Sequence, residues 1–479
     1  MGLWGLLTWG SLLLLSLALI CFLIFCAYIK YIHMKYDHIP GPPRDSHVML
    51  HLKVHFFQCF MFFRARDYGP IVRINVLYNV IILAVSPEAV KVILLAISFC
   101  FSCKMANCAP RLVIFFLGCG LVTDRDYDHW HKQRRVMDPA FSRAYLIGLM
   151  GPFNDNAEHL METLSNKADG KQRVKMHDLL NRMTLDVIAK VAFAMDLNSL
   201  DDKDNPFPRA ITVAISGMVE TRNPFIQYLP GKRAYIKDVR DSIGLLRETG
   251  KRCIERRQRA IDEGEDVPVD ILTQILKGAG KLDCCLSGQE TTANQLAFTV
   301  MELGRNPHIL EKVQAEVDDV IGSKRDLDYE DLGKLKYLSQ VLKETLRLYP
   351  TAPGTSRGLH EELVINGVRI PPKTTVMFNS YIMGRMEEYF EDPLTFNPDR
   401  FHPEAPKPNF TYFPFSLGPR SCIGRVFAQM EAKVVMAKLI QRFNFTLVEG
   451  QSFKVLDLAT LRPLDGVVCT VRTRTTNGK

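Results

Sequence analysis

Ten residues near the C-terminal end, Phe415-Ser416-Leu417-Gly418-Pro419-Arg420-Ser421-Cys422-Ile423-Gly424, bring together a thiol, a guanidinium and two glycines. The run that follows, about 424–443, reads as a long helix, so Cys422 sits at a helix N-terminus. There the helix dipole and the free backbone N–H groups favour a thiolate, the form of cysteine that binds metals. Gly418 and Gly424 permit turns and let a flat cofactor lie close to the backbone. Arg420, two residues before the thiol, can pair with a carboxylate on such a cofactor. A lone cysteine ahead of a helix is usually a small core residue, and only its company sets this one apart.

Every defined position of Phe-x-x-Gly-x-Arg-x-Cys-x-Gly is matched here, and the sequence resembles the cytochrome P450 superfamily, for which this is the haem-binding signature. The resemblance implies that Cys422 is the axial ligand of a haem b iron, with Phe415, Gly418, Arg420 and Gly424 forming its cradle. A thiolate trans to oxygen pushes electron density onto iron and favours O–O cleavage, the chemistry of monooxygenation. Further motifs agree. Glu344 and Arg347 share a helix face, ordinarily a weak surface pair; in the family they form a structural triad with an arginine of Pro-x-Arg-Phe, here Pro398-Asp399-Arg400-Phe401. Trp130 and Arg134 lie one turn apart in a Trp-x-x-x-Arg helix and, with Arg357, are implied to hold the haem propionates. Gly288-Gln289-Glu290-Thr291-Thr292 resembles the oxygen-binding segment, in which Gly288 breaks a helix while Thr291 and Glu290 relay protons. The same cluster could simply start a helix.

These motifs need elements to hold them. Amphipathic stretches over about 145–166, 176–196, 236–262, 291–303, 308–321 and 335–349 predict helices. Ile71–Leu77 and Val80–Val85 predict a hairpin, and short strands are expected near 363–370, 374–378 and the C-terminus. The fold class is mainly α with a minor β portion, the cytochrome P450 fold, in a single large domain over 46–479. Residues 1–29 carry no charge, and Leu3–Ile29 exceeds the roughly 20 apolar residues that span a bilayer. They read as a transmembrane signal anchor, followed by a stiff Pro-rich linker over 30–45. Lys30, Lys35 and Arg44 after the span place the catalytic domain on the cytosolic side. Phe225, Ile226, Tyr228 and Leu229 are expected, by resemblance, to make a second, shallow membrane contact.

Composition excludes several classes. With 47% hydrophobic and 23% charged residues the chain is not disordered. Its net charge of +8 comes without a Lys/Arg block that would track phosphates, so nucleic acid is not an expected partner. Cys100, Cys103, Cys108 and Cys119 lie among apolar residues at a spacing that fits no ligand set, and read as free thiols.

The resemblance further implies an endoplasmic-reticulum, single-pass enzyme, with membrane lipid around its anchor and electrons from NADPH through a flavoprotein reductase. Lys132, Arg135, Arg425 and Lys433 would dock that acidic partner. Long stretches, among them Leu229–Arg233, Asp270–Lys277 and Met383–Phe401, look like members that hydroxylate sterol side chains, which makes a sterol-like lipid the expected substrate. Only Lys281–Ser287 separates Gly280 from Gly288. Those two turns, roughly 10 Å, are short for the apolar helix that the family runs over the haem. The alternative is therefore a haem-binding but catalytically impaired variant.

Overall fold

The computed structural model describes residues 3–43, 57–76, 79–95, 120–124, 126–220, 226, 229–268, 270–277, 288–406 and 408–474. The first element is α1 (Leu3–Met34), whose stretch Trp9–Met34 is long and apolar enough to cross a membrane; its apolar part is uncovered, and only its last turn, with Ile32 and the buried His33, packs against the rest of the protein. Among the described residues it is the one helix that meets that test. Its leucines and phenylalanines are more than half exposed in most cases, a surface that only lipid or another apolar partner would cover favourably.

The helix runs past the expected end of the anchor, and the segment behind it is not a free spacer. Tyr36 and Ile39 are buried in an apolar cluster, and Tyr36 Oη lies 3.1 Å from Thr374 Oγ1. Arg73 is the reason. Its buried guanidinium needs partners, and it finds Asp37 at 2.7 Å and the Pro42 carbonyl at 3.1 Å. Its backbone N–H donates to Pro40 O at 2.7 Å, and a Cβ on Gly41 would sit 2.5 Å from Arg73 O. The packed body thus begins near Tyr36.

Arg73 lies on β1 (Ile71–Val76), which pairs antiparallel with β2 (Asn79–Ala84) as the alternating apolar residues predict. The sheet continues in the order β1-β2-β7-β4, where β4 is Gly354–Gly358 and β7 is Thr375–Asn379. Between them in sequence lies the small hairpin of β5 (Leu363–Ile365) and β6 (Val368–Ile370). A second sheet has the order β3-β11-β8, from β3 (Asp169–Lys175), β8 (Phe443–Leu447) and β11 (Val468–Thr473). The last hairpin pairs β9 (Val455–Leu458) with β10 (Thr460–Pro463).

Helices make up the larger part. They include α2 (Tyr127–Met137), α3 (Met150–Ser165), α4 (Met176–Phe193), α5 (Pro206–Glu220), α6 (Arg233–Asp262), α7 (Gln289–Arg305), α8 (Pro307–Val320), α9 (Lys336–Leu348) and α10 (Arg425–Arg442). Nearly every residue of α7 is buried, which marks it as the central helix. It packs against α4, α9 and α10. The mainly helical class with a minor sheet portion is what the structure has. The helices Phe57–Tyr68, Pro87–Leu95 and α5 escaped the sequence reading; in α5, Ile211, Thr212, Val213 and Ile215 favour strands. Proline is tolerated in a first turn, and the buried Ala210, Ile211, Ala214, Ile215 and Val219 follow a helical period. Gly217 lets α5 approach α6, since a Cβ there would lie 2.5 Å from Val239.

Several expected features fall outside the described residues: Cys100, Cys103, Cys108 and Cys119, the segment 281–287, and Phe225 with Tyr228 of the second membrane contact. Of the other two, Leu229 is exposed, but Ile226 is only 7% exposed and faces the protein interior. It does not serve as a membrane contact.

Glu344 and Arg347 on α9 form a bidentate pair, 2.7 Å at each arm, with both side chains wholly buried. Arg347 also donates to Gly384 O at 2.5 Å, Pro393 O at 2.7 Å and Thr395 O at 3.2 Å. Glu344 accepts from Asn397 N at 2.8 Å and lies 3.5 Å from Arg400 Nε. The pair therefore holds the irregular segment 384–400 rather than ornamenting a surface. Arg347→Ala strands the Glu344 carboxylate and three carbonyls, at a cost of about 3–5 kcal/mol. The expected outcome is loss of soluble, haem-loaded protein, read from yield and near-UV circular dichroism; a variant that loads haem normally contradicts it.

Candidate functional site

The thiol loop is fixed by its own backbone before any side chain acts. Ser416 and Gly418 both adopt positive φ, at 58° and 71°. Cys422 N donates to Phe415 O at 2.9 Å, and Ser421 N donates to Gly418 O at 3.0 Å. A Cβ on Gly418 would collide with the Leu94 carbonyl, so this position is glycine for steric as well as conformational reasons. Gly424 differs. It caps α10 at φ −83°, and a Cβ there would meet nothing nearer than Phe141 at 4.0 Å. The chain's own contacts do not demand that glycine, and the space beside it would admit a flat group close to the backbone.

Cys422 is exposed as a residue, yet the protein around its sulfur removes enough water to push the thiol pKa up. The Gly424 N–H, Arg134 and Arg425 oppose that effect without overcoming it. The helix start expected to hold a thiolate is thus insufficient by itself. A metal ion bound there would supply the missing term, because coordination deprotonates a thiol outright. Among the described residues, no group of three or more His, Cys, Asp and Glu is placed to hold a metal. A metal on Cys422 would therefore take its remaining donors from a cofactor.

The cations around the loop divide into two kinds. Arg134 on α2 donates to Asp138 Oδ1 at 2.7 Å and to Ser421 O at 2.8 Å. Its charge is balanced by Asp138 and its fork clamps the loop. Arg420 and Arg357 are different. Arg420 lies over the buried Trp130 ring, 3.9 Å from its centroid, and donates to Asp124 O at 3.0 Å. Arg357 on β4 donates to Thr355 Oγ1 and Ser356 O, each at 2.9 Å. Its pKa is lowered to about 10, by burial first and then by the like charge of Arg420. Two guanidiniums that repel each other, one of them two residues before Cys422, form a site for carboxylates. A planar tetrapyrrole with two propionates, haem b, fits this donor set.

The acid–alcohol segment opens α7. Gly288 is its N-cap at φ −78°, and Thr291 Oγ1 donates to Gly288 O at 3.0 Å. Whether Gly288 interrupts a longer helix rests on residues outside the described set. Glu290 follows Gly288 by two residues. It is buried, with its pKa raised chiefly by that burial and lowered in part by a hydrogen bond from Thr460 and by the nearby charges of Arg462 and His177. Behind it, His177 Nε2 lies 2.8 Å from Asn294 Oδ1, and Asn294 Nδ2 donates to Thr460 Oγ1 at 3.4 Å. The sequence reading missed His177, Asn294 and Thr460. The available signal was a polar residue, Asn294, on a helix otherwise buried almost throughout.

It also missed Glu431, which interrupts the apolar run of α10. This carboxyl is buried against the Thr292 hydroxyl on α7, and burial pushes its pKa up to about 8. From Cys422 to Glu431 is nine residues along the chain, about 13 Å if helical throughout.

The sequence model described as Cytochrome P450 matches residues 40–469. The chain is 28% identical to "Cytochrome P450 4d2" of Drosophila melanogaster over 417 residues, 79% of this chain and 82% of that one. It is 30% identical to "Probable cytochrome P450 4e1" of the same organism over 69% of this chain and 67% of that one. It is 29% identical to "Protein LUTEIN DEFICIENT 5, chloroplastic" of Arabidopsis thaliana over 76% and 66%.

Glu431 carries a pH dependence. In the folded protein it holds its proton to about pH 8, whereas unfolded it loses it near 4.5. Between those values the folded state binds more protons, so stability falls as pH rises, by at most about 1.4 kcal/mol per pH unit. Glu431→Gln removes this slope. The thermal midpoint, measured from pH 5 to 9, is expected to fall less steeply in the variant and to exceed wild type at the alkaline end; parallel profiles contradict the assignment.

Proposed function

The chain belongs to the cytochrome P450 family, whose members are monooxygenases, and on that premise we propose that it inserts one oxygen atom into a C–H bond of a sterol side chain, as in cholesterol 24-hydroxylation. The observation that carries the oxidative part is the Cys422 loop, whose own Arg420 lies close enough to the buried Arg357 for the two charges to repel. The sterol part rests on the stretches that resemble sterol side-chain hydroxylases. The reading places the protein in the endoplasmic reticulum membrane, held by α1, with its catalytic body in the cytosol.

Bound through Cys422, haem b supplies the oxygen-activating chemistry. The protein's own residues do the rest. Arg357 and Arg420 neutralise the propionates, while Trp130 walls one side of Arg420. Arg134 keeps the loop, and with it the sulfur, in place. Hydroxylation consumes dioxygen, two electrons and two protons for each C–H bond converted to C–OH, and releases one water. Glu290, whose carboxyl pKa is raised by burial, and Thr291, which presents a hydroxyl at the start of α7, are suited to deliver those protons. The electrons come from NADPH through a flavoprotein reductase. Lys132, Arg135 and Arg425 are exposed and can meet an acidic partner. Lys433 does not join them: its ammonium donates to Leu332 O at 2.7 Å, and burial followed by the charge of Lys343 lowers its pKa.

Cys422→Ala is expected to lose the thiolate-type spectrum of the reduced, CO-bound protein, and retention of that spectrum removes Cys422 as the ligand. Spectral titration and turnover of the wild-type protein with a sterol panel test the substrate. Haem loading without sterol shift or product points instead to the impaired variant raised by the short segment 281–287.

Thr291→Ala is expected to raise hydrogen peroxide released per NADPH consumed. An unchanged ratio takes Thr291 out of proton delivery.

A further inference from the structure

Glu290 is held from outside its own helix. The β9–β10 turn has a single residue between its paired strands, Leu458 facing Thr460, and that residue, Ala459, adopts φ 68°. Left-handed backbone at a non-glycine residue is costly and persists where surrounding structure enforces it. What it achieves here is the placement of Thr460 against α7. Thr460 Oγ1 accepts from Asn294 Nδ2 at 3.4 Å, which leaves its own hydroxyl hydrogen for the Glu290 carboxyl. Asn294 follows Glu290 by four residues, so both lie on the same face of α7. The Asn294 amide is oriented in turn by His177 Nε2 at 2.8 Å. His177 Nδ1 lies 3.7 Å from the exposed Asp178, at the surface end of the chain of contacts. The second oxygen of Glu290 has no hydrogen-bond partner and stays available.

We propose that Thr460 and Asn294, steadied by His177, are positioning residues that aim the Glu290 carboxyl for proton transfer. The inference rests on the acid–alcohol reading of Glu290 and Thr291 given above. A Thr460 hydroxyl aimed at one carboxyl oxygen would fix the rotation of the group and leave the other oxygen to exchange a proton. Asn294 fixes Thr460 by occupying its lone pair. An amide conducts protons poorly, so the chain from His177 orients Glu290 and does not itself serve as the proton wire. The charged and titratable groups that face Glu290 are Arg462 on β10 and His177 on α4, with Asp178 behind His177; Glu431 on α10 lies beyond Thr292. Because the Thr460 bond favours the ionised carboxyl, its loss makes Glu290 hold its proton to higher pH.

The test uses the haem-loaded full chain in detergent. Infrared difference spectra of the resting protein follow the protonated carboxyl band against pH, with Glu290→Gln identifying the band that belongs to Glu290. Thr460→Val keeps shape and removes the hydroxyl. It is expected to move the titration midpoint upward by about one pH unit, the ten-fold worth of one hydrogen bond. Asn294→Leu is expected to move it in the same direction by less, while Thr460→Ser restores the wild-type midpoint. Peroxide release per NADPH is expected to rise in the same order. If Thr460→Val and Asn294→Leu leave midpoint and peroxide at wild-type values, the positioning role is wrong. If the midpoint moves but Glu290→Gln leaves peroxide release unchanged, the positioning stands and the acid–alcohol reading of the reaction falls instead.

Discussion

An arginine buried with no access to water dictates much of what surrounds it. Arg347 has five donors and cannot shed its charge, so the fold must bring it a carboxylate and several carbonyls. Glu344, one turn away, satisfies the charge; Gly384, Pro393 and Thr395 supply the rest from a segment with little regular structure of its own. That segment leads to the thiol loop; local turns such as Thr395 N to Asp392 O shape it, and the arginine ties three of its carbonyls to α9. Gly384 lies so near Arg347 O that a side chain there would displace the contact, its Cβ falling at 2.5 Å. The site downstream inherits its shape from this pair without using it chemically.

Electrostatics at the site run against what the protein alone would favour. Burial raises the Cys422 thiol while two guanidiniums, Arg357 and Arg420, are held close enough to depress one of them. Each is a cost in the bare protein, and the two are of opposite kind: a group that should be negative and is not, beside groups too positive to be comfortable. A metal cofactor with carboxylates relieves both, turning thiol to thiolate and setting anions against the arginines. Binding free energy is then also folding free energy for this region.

How much of this the sequence showed follows from distance along the chain. The thiol loop, Glu344 with Arg347, and Trp130 with Arg134 are patterns within ten residues, and the structure places each on the element expected. The role of Arg134 was less visible, since a neighbouring Asp138 competes for it at i+4. Contacts between distant segments left no trace. Arg73 meets Asp37 across 36 residues and so pulls the expected linker onto the sheet. His177 meets Asn294 across 117 residues, and Asn294 meets Thr460 across 166. Neither His177 nor Thr460 stands in a motif, and a hydroxyl on a strand is among the commonest of residues. Local propensity misled where packing overruled it, as in the β-branched helix α5 and the polar strand β3.

The helix α10 joins these separate pieces. Its N-terminal end carries the thiol loop, clamped where Arg134 bonds Ser421 O. Near its other end Lys438 is fully buried, bonded to Glu158 Oε1 at 2.5 Å and to the Arg325 carbonyl, while Arg442 reaches the same Glu158 at 2.8 Å. A helix tied at both ends cannot slide, which fixes the sulfur relative to the core. Between the ties, Glu431 touches Thr292 on α7, and at neutral pH burial keeps it protonated. A hydroxyl and a neutral carboxyl can meet in that dry interface, whereas an ionised carboxylate would add a negative charge on the helix that presents the thiolate. The contact lets α7 and α10 pack closely, so that the acid side and the thiol side are registered against each other through one rigid helix pair.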